Sequence, residues 1–157
     1  MNRPSAYVDG LRLLGRREMS VAQLRARLLE REHDRDDVDA AIERLTETRA
    51  LDDRRVASAY ARTALKIKGR GRLRIQRELQ AMGISKDIVA EVLADTFGEV
   101  DERGLISKAV QKKLRMRGKI DTQADYARIY QFLMRQGFSP AAVSAALRAR
   151  RKGDEHS

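Results

Sequence analysis

The feature that most constrains the fold is an apolar pattern that occurs three times along the chain. In each copy, three apolar residues are separated by ten and then four positions, and the copies are offset by 51 and then 54 residues. The three sets are Leu28, Val38 and Ile42; Leu79, Val89 and Leu93; and Leu133, Val143 and Leu147. A period of this length is typical of arrays of small helical repeats that stack on their neighbours.

A turn is predicted inside each copy, between its first and second apolar residues. The turn sequences are HDRDDV (33–38), ISKDIV (84–89) and FSPAAV (138–143). Each contains a side chain that can accept from the free amides of the next helix, namely Asp34, Ser85 or Ser139. Gly83 and Gly137 suit a left-handed helix stop, and Pro140 suits a first helical position. The pattern therefore predicts helix–turn–helix units.

Two further helices are predicted upstream of each turn, which gives three helices per repeat. They are Ala6–Arg17 and Val21–Glu30, Arg54–Lys68 and Arg72–Met82, and Leu105–Arg117 and Gln123–Arg135. Within Arg54–Lys68, one apolar side is predicted to carry Val56, Tyr60, Thr63 and Ile67. A repeat this small has little core of its own, so docking between repeats is expected to stabilise the chain.

The predicted fold is all-α, an elongated, curved array of three tandem three-helix repeats that resemble helix-turn-helix domains. Residues 1–10 are predicted to form an N-terminal tail and helix start, and residues 149–157 are predicted to form a disordered tail. The repeats are 11–51, 56–97 and 105–148. Two prolines and a 4% aromatic share favour helix over sheet.

Composition excludes several classes of function. The chain has no cysteine and two histidines, so a thiolate or multi-histidine metal centre is not expected. Neither a signal peptide nor a membrane span is visible, which favours a soluble, cytoplasmic protein. The GRG sequence at Gly69–Gly71 lacks the ending of a phosphate-binding loop, and no histidine stands where it could serve a nucleophile. We therefore expect no enzyme activity and no cofactor.

The net charge of +10 is distributed unevenly over the repeats. Residues 11–51 have nine basic and nine acidic groups, residues 56–97 eight and four, and residues 105–148 nine and two. The net charges are therefore 0, +4 and +7. An anionic partner is expected to meet the second and third repeats.

Two basic stripes are predicted from helical spacing. Arg70, Arg74 and Arg77 share a side if their helix begins early enough to include Arg70, opposite Ile75, Leu79 and Met82. Lys108, Lys112, Arg115 and Lys119 form the second stripe, opposite Ile106, Val110 and Leu114. The alternative is that these are solvated helix faces only. The candidate binding residues are Arg62, Lys66, Lys68, Arg70, Arg72, Arg74, Arg77, Lys108, Lys112, Arg115 and Lys119.

The aromatic residues are interpreted as part of the hydrophobic core rather than as surfaces on which bases stack. Tyr60, Tyr126, Tyr130 and Phe132 recur at helical spacing, and Phe138 follows a predicted helix stop as a packing anchor. Contacts to nucleic acid are therefore expected to be with DNA phosphates, weak, salt-sensitive and non-specific.

Four segments resemble the RecX family of RecA regulators. They are LRLLGRREMSVAQLRARLL (11–29), RALDDRRVASAYARTALKIKGRG (49–71), RIQRELQAMGIS (74–85) and FLMRQGFSPAAVSAAL (132–147). The resemblance covers about residues 8–150 and departs at Glu32–His33, where the family has Gly-Phe. It implies a curved helical array that binds in the groove of the RecA filament on DNA. It also implies inhibition of ATP hydrolysis, strand exchange and filament extension, and so regulation of DNA repair, DNA recombination and the SOS response.

A stand-alone helix-turn-helix DNA-binding protein is the alternative, since tri-helical units with basic helices suit DNA mechanically. It predicts tight binding to bare DNA and dimeric half-site spacing. We expect a monomer, because the sequence shows no heptad seam and no apolar stripe left uncovered.

Overall fold

The computed structural model describes residues 2–118 and 120–155, and within them it contains nine α-helices and no strand. The helices are α1 (Ala6–Arg16), α2 (Val21–Glu30), α3 (Arg35–Glu47), α4 (Asp53–Lys66), α5 (Arg72–Ala81), α6 (Lys86–Phe97), α7 (Glu102–Arg117), α8 (Gln123–Gln136) and α9 (Pro140–Glu155). They form three tandem three-helix repeats, α1–α3, α4–α6 and α7–α9. This confirms the predicted all-α repeat fold, while the predicted curvature stays a prediction.

The described chain folds as two compact units. The N-terminal unit comprises residues up to Tyr60 together with Glu78–Val92, and the C-terminal unit comprises Ala61–Arg77 together with residues from Leu93 onward. In the N-terminal unit, α1, α2 and α3 pack against one another, and in the C-terminal unit α7, α8 and α9 do the same. The helices of the second repeat contribute residues to both units.

The repeating apolar residues form the cores. Leu28, Val38 and Ile42 are buried together in the first repeat, and Leu133, Val143 and Leu147 are buried together in the third. The corresponding residues of the second repeat, Leu79, Val89 and Leu93, are buried as well. Phe138 is 1% exposed within the third core, and Tyr126, Tyr130 and Phe132 are packed against it, as predicted for core aromatics.

The turn after the second helix of each repeat has the same backbone form. Gly83 and Gly137 have φ of +80° and +101°, and Glu32 takes the equivalent left-handed position with φ of +66°. In each case the amide of the following residue donates to a carbonyl five positions back, at 3.2–3.3 Å. That following residue points inward: Ile84 and Phe138 are buried, and the His33 side chain is 7% exposed.

A buried histidine needs a polar partner, and α1 supplies one. The Nε2 atom of His33 lies 2.8 Å from Oδ2 of Asp9, to which the Nε–H of Arg31 also donates at 2.6 Å. Burial raises the pKa of Asp9, but the hydrogen bonds and charges of Arg31 and His33 outweigh burial and hold this pKa below its ordinary value. The contact with Asp9 therefore allows Glu32–His33 to occupy the turn of the first repeat.

A join between repeats 1 and 2 lies within the N-terminal unit. Ser20 caps α2 by accepting from the amide of Gln23, and its hydroxyl donates to the carbonyl oxygen of Met82 at 2.5 Å. A Cβ atom on Gly83 would lie 2.4 Å from the Cβ of Ala22, so this turn requires glycine on steric grounds as well.

An equivalent join between repeats 2 and 3 lies within the C-terminal unit. The amide of Gly71, which is 51 positions after Ser20, donates to the carbonyl oxygen of Gln136 at 2.7 Å, and the amide of Leu73 donates to that of Gly137 at 3.0 Å. Neighbouring repeats are therefore joined by hydrogen bonds at both positions, as docking between repeats requires.

Two stretches differ from the sequence-based expectation. Ile67 was predicted to lie on the apolar side of a helix reaching Lys68, but α4 ends at Lys66 and Ile67 is 77% exposed. At the other end, α9 includes residues 149–155, where a disordered tail was predicted. Alanine and arginine at 148–151 are good helix formers, which explains the continuation. His156 and Ser157 lie outside the described residues.

Candidate cationic binding groove

Helix α7 presents lysines because its apolar residues are used by the third core. Its N-terminus is capped by Asp101, whose carboxylate accepts from the amide of Arg103 at 3.1 Å. Ile106 and Val110 are buried, which fixes the rotation of the helix and leaves Lys108 and Lys112 exposed. The predicted division of α7 into an apolar and a basic side is thus present for these residues.

The end of α4 brings further lysines to the same region of the C-terminal unit. The carbonyl oxygen of Thr63 accepts from the amides of Ile67 and Lys68, at 3.0 and 3.3 Å, and Gly69 follows with φ of +63°. The side-chain amide of Gln136 donates to the carbonyl oxygen of Lys68 at 3.4 Å, which ties this turn to α8. The turn therefore has a defined place beside α7 and α8.

Between these elements lies a groove of about 600 Å³, which we call the lysine groove. Five lysines line it: Lys66, Lys68, Lys108, Lys112 and Lys113. The remaining lining residues are Leu65, Ile67, Gly69, Val100, Leu105, Ala109, Met116, Phe132 and Gln136. Among the described residues, none that lines the groove is acidic, and none of the five lysines forms an ion pair. The groove is an uncompensated positive site.

The other predicted binding residues lie elsewhere in the C-terminal unit. Arg62, Arg72, Arg77 and Arg115 are exposed, but they do not line the lysine groove. Arg115 lines a separate depression with Gln111, Leu114, Gly118 and Arg150, and Arg72 lines a small pocket near Phe97 and Glu102. Lys119 lies outside the described residues. The structure thus brings together four of the predicted cations, Lys66, Lys68, Lys108 and Lys112.

The predicted stripe of Arg70, Arg74 and Arg77 does not form a helical face. Helix α5 begins at Arg72, so Arg70 precedes it, and the amide of Arg70 donates to the carbonyl oxygen of Ala64 at 3.0 Å. Arg74 is half-buried, and its Nη1 atom donates to Oε1 of Gln136 at 3.0 Å. The stripe was predicted on the condition that the helix begins early enough to include Arg70, and this condition is not met.

Sequence reasoning missed Lys113 and the apolar part of the groove. Lys113 is five residues from Lys108 and so falls off the predicted stripe, and its Nζ atom lies 4.4 Å from the centre of the Phe132 ring. Ile67 and Met116 are 77% and 78% exposed. The sequence signal for Ile67 and Met116 was the position of each inside a basic run, KIK and RMR.

Other kinds of site find little support. Within residues 2–118 and 120–155, no cluster of three histidines or carboxylates is placed to hold a metal ion. No helix in the described parts of the chain combines the length and apolar character needed to cross a bilayer.

Comparison with known proteins identifies the three repeats individually. Residues 6–45 match the family description "RecX, first three-helix domain", residues 52–93 the second three-helix domain and residues 101–147 the third.

Curated relatives match over nearly the whole chain. "Regulatory protein RecX" of Pelodictyon phaeoclathratiforme is 31% identical over 94% of this chain and 89% of its own. The protein of the same name from Halorhodospira halophila is 35% identical over 92% of this chain and 88% of its own.

A crystal structure of RecX from Lactobacillus salivarius has the same fold, with a TM-score of 0.76 and 18% identity over 92% of this chain and 93% of that one. The three domain matches follow the order of the repeats, and the curated relatives carry the name of a regulatory protein. The chain belongs to the RecX family of regulatory proteins.

Proposed function

We propose that this chain is a non-enzymatic regulator that docks on the RecA filament assembled on DNA and inhibits the recombinase. Inhibition would extend to ATP hydrolysis, strand exchange and filament extension, so the chain would modulate DNA repair and the SOS response in the cytoplasm. RecX family membership supports a regulatory role. The lysine groove is the observation that supports a docking surface on this chain.

The physical case for docking rests on uncompensated charge. Five lysines that face one groove without an acid repel one another, so an anionic partner lowers the electrostatic free energy of the folded chain when it binds. A filament on DNA offers carboxylates and phosphates in a regular array. Several modest contacts along such an array raise avidity without any one contact being strong. Binding is therefore expected to weaken as salt concentration rises.

The experiment measures two quantities at one salt concentration: the rate of ATP hydrolysis by RecA on single-stranded DNA, and the affinity of the chain for bare duplex. We expect inhibition at protein concentrations where bare duplex is hardly bound. Tight binding to duplex with no effect on the filament would contradict the proposal and support the stand-alone DNA-binding protein instead.

A further inference from the structure

The lysine groove has an apolar part that phosphate binding does not require. Ile67 and Met116 are 77% and 78% exposed, the two highest values among the exposed large apolar side chains of the described residues, and both line this groove. Phe132, Leu105 and Val100 continue the apolar lining. Single exposed apolar side chains are ordinary on protein surfaces, but several that share one concavity mark a binding site.

The five lysines line the same groove as these apolar side chains. Lys66 and Lys68 stand on either side of Ile67 in the sequence, and Lys112 and Lys113 precede Met116 by one turn of α7. Lysine stems pack on apolar surface while their ammonium groups remain in water. Each apolar residue is thus accompanied by cations that can reach past it to an anionic group on a bound molecule.

This combination favours a protein segment over a nucleic acid. Bases bind single-strand proteins by stacking on exposed aromatic faces, but Phe132 is half-buried and Lys113 lies over its ring. The other apolar lining is aliphatic and suits leucine or isoleucine side chains. A groove of about 600 Å³ has room for a few such side chains from one face of a helix.

We infer that the lysine groove binds an amphipathic, acidic helix of a protein partner. The apolar stripe of this helix lies against Ile67, Met116 and Phe132, and its flanking glutamates or aspartates pair with the five lysines. The inference deepens the proposed function, since it uses the same groove, and it names the chemical class of the contacted segment.

The test uses the full chain and a synthetic fluorescent peptide of about 15 residues, which is long enough for four helical turns. In the patterned peptide, leucines recur at helical spacing and glutamates flank them. A shuffled peptide has the same composition with its leucines spread over all faces, so that the charge is matched. Fluorescence anisotropy gives the dissociation constant of each peptide and of a labelled single-stranded oligonucleotide.

The decisive variant is Ile67→Ser combined with Met116→Ser, which leaves every lysine in place. Its control is Leu11→Ser combined with Leu29→Ser, two residues that are each 41% exposed in the N-terminal unit. All four side chains are exposed, and circular dichroism checks that both variants remain folded.

We expect the patterned peptide to bind the unaltered chain at least about tenfold more tightly than the shuffled one, since only the former buries its leucines together. The Ile67→Ser, Met116→Ser variant should lose that advantage, while the control variant and oligonucleotide binding should stay within about twofold. Equal binding of both peptides would overturn the inference, as would oligonucleotide binding that falls with the serine variant.

Failure of this inference can be told from failure of the proposed function, because peptide binding is measured without RecA. A chain that inhibits RecA through its lysines but does not distinguish the two peptides overturns the inference alone. A chain that binds the patterned peptide through Ile67 and Met116 but leaves RecA unaffected overturns the proposed function alone.

Discussion

Gly71 and Gly137 meet backbone to backbone in the C-terminal unit: a Cβ atom on Gly71 would lie 2.6 Å from the carbonyl carbon and oxygen of Gly137. The amide of Gly71 also donates to the carbonyl oxygen of Gln136 at 2.7 Å. Contact this close leaves no room for a side chain. Gly71 therefore allows the backbones of the second and third repeats to come into contact.

Replacing Gly71 with alanine should destabilise the chain. Because the opposing atoms belong to the backbone and cannot rotate away, we expect Gly71→Ala to lower the free energy of unfolding by about 2 kcal/mol, the usual cost of overpacking. Chemical denaturation followed by circular dichroism measures this change. The matched control is Gly15→Ala, since a Cβ there meets nothing within 4 Å and Gly15 lies in α1. It should be neutral or stabilising by up to about 1 kcal/mol. Equal effects at both positions would contradict the role given to Gly71.

Asp9→Asn should destabilise the chain at neutral pH more than at acid pH. The substitution removes the carboxylate that accepts from Arg31 and contacts the buried His33, at a cost of about 2 kcal/mol at pH 7. The pKa of Asp9 is lowered from 3.8 in the folded chain. Its stabilisation is therefore present above that ordinary value and is lost as pH falls through the lowered folded pKa.

Denaturation of Asp9→Asn and the unaltered chain at pH 7 and at about pH 3 measures this effect. The difference between them should shrink at the lower pH. Glu43→Gln, at an exposed position of α3, should change stability by no more than about 0.5 kcal/mol. A difference for Asp9→Asn that stays constant with pH would refute the account of the Asp9–His33 pair.

Arg74 and Arg77 should behave differently although sequence spacing put them on one face. Arg74 donates to Gln136, whose amide in turn donates to the carbonyl oxygen of Lys68. We expect Arg74→Ala to lower the free energy of unfolding by about 1–2 kcal/mol, and Arg77→Ala to change it by about 0.5 kcal/mol or less. Thermal or chemical denaturation of both variants compares them. Arg74→Ala that is as stable as Arg77→Ala would show that the contact with Gln136 contributes nothing.

Much of the fold could be predicted because the core residues recur at fixed spacing. Leu28, Val38 and Ile42 already specify two helices and a turn, and the same spacing recurs twice. The left-handed positions at Gly83 and Gly137 follow from glycine itself. The left-handed position at Glu32 could not be predicted in this way, because no glycine occupies it.

Less of the candidate site was predictable, since it depends on where helices stop. The predicted apolar side of α4 included Thr63 and Ile67, but both are exposed, and α4 ends at Lys66. Arg70 left its predicted face because α5 begins at Arg72. The contact that holds the segment before α5, from Gly71 to Gln136, joins residues 65 positions apart, and periodicity carries no information about it.

In the proposed function, the lysine groove is the docking surface for the RecA filament. Lys108→Ala combined with Lys112→Ala removes two cations from the groove, and Arg12→Ala combined with Lys86→Ala removes two exposed cations from the N-terminal unit. Exposed charges contribute little to folding, so both variants should melt like the unaltered chain.

The most direct measurement is the concentration of each variant that halves ATP hydrolysis by RecA on single-stranded DNA. The groove variant should require at least about tenfold more protein, corresponding to about 1.4 kcal/mol of lost binding free energy. The control variant should stay within about twofold of the unaltered chain, since it lowers net charge equally but leaves the groove intact. Equal inhibition by the two variants would show that the groove is not the docking surface.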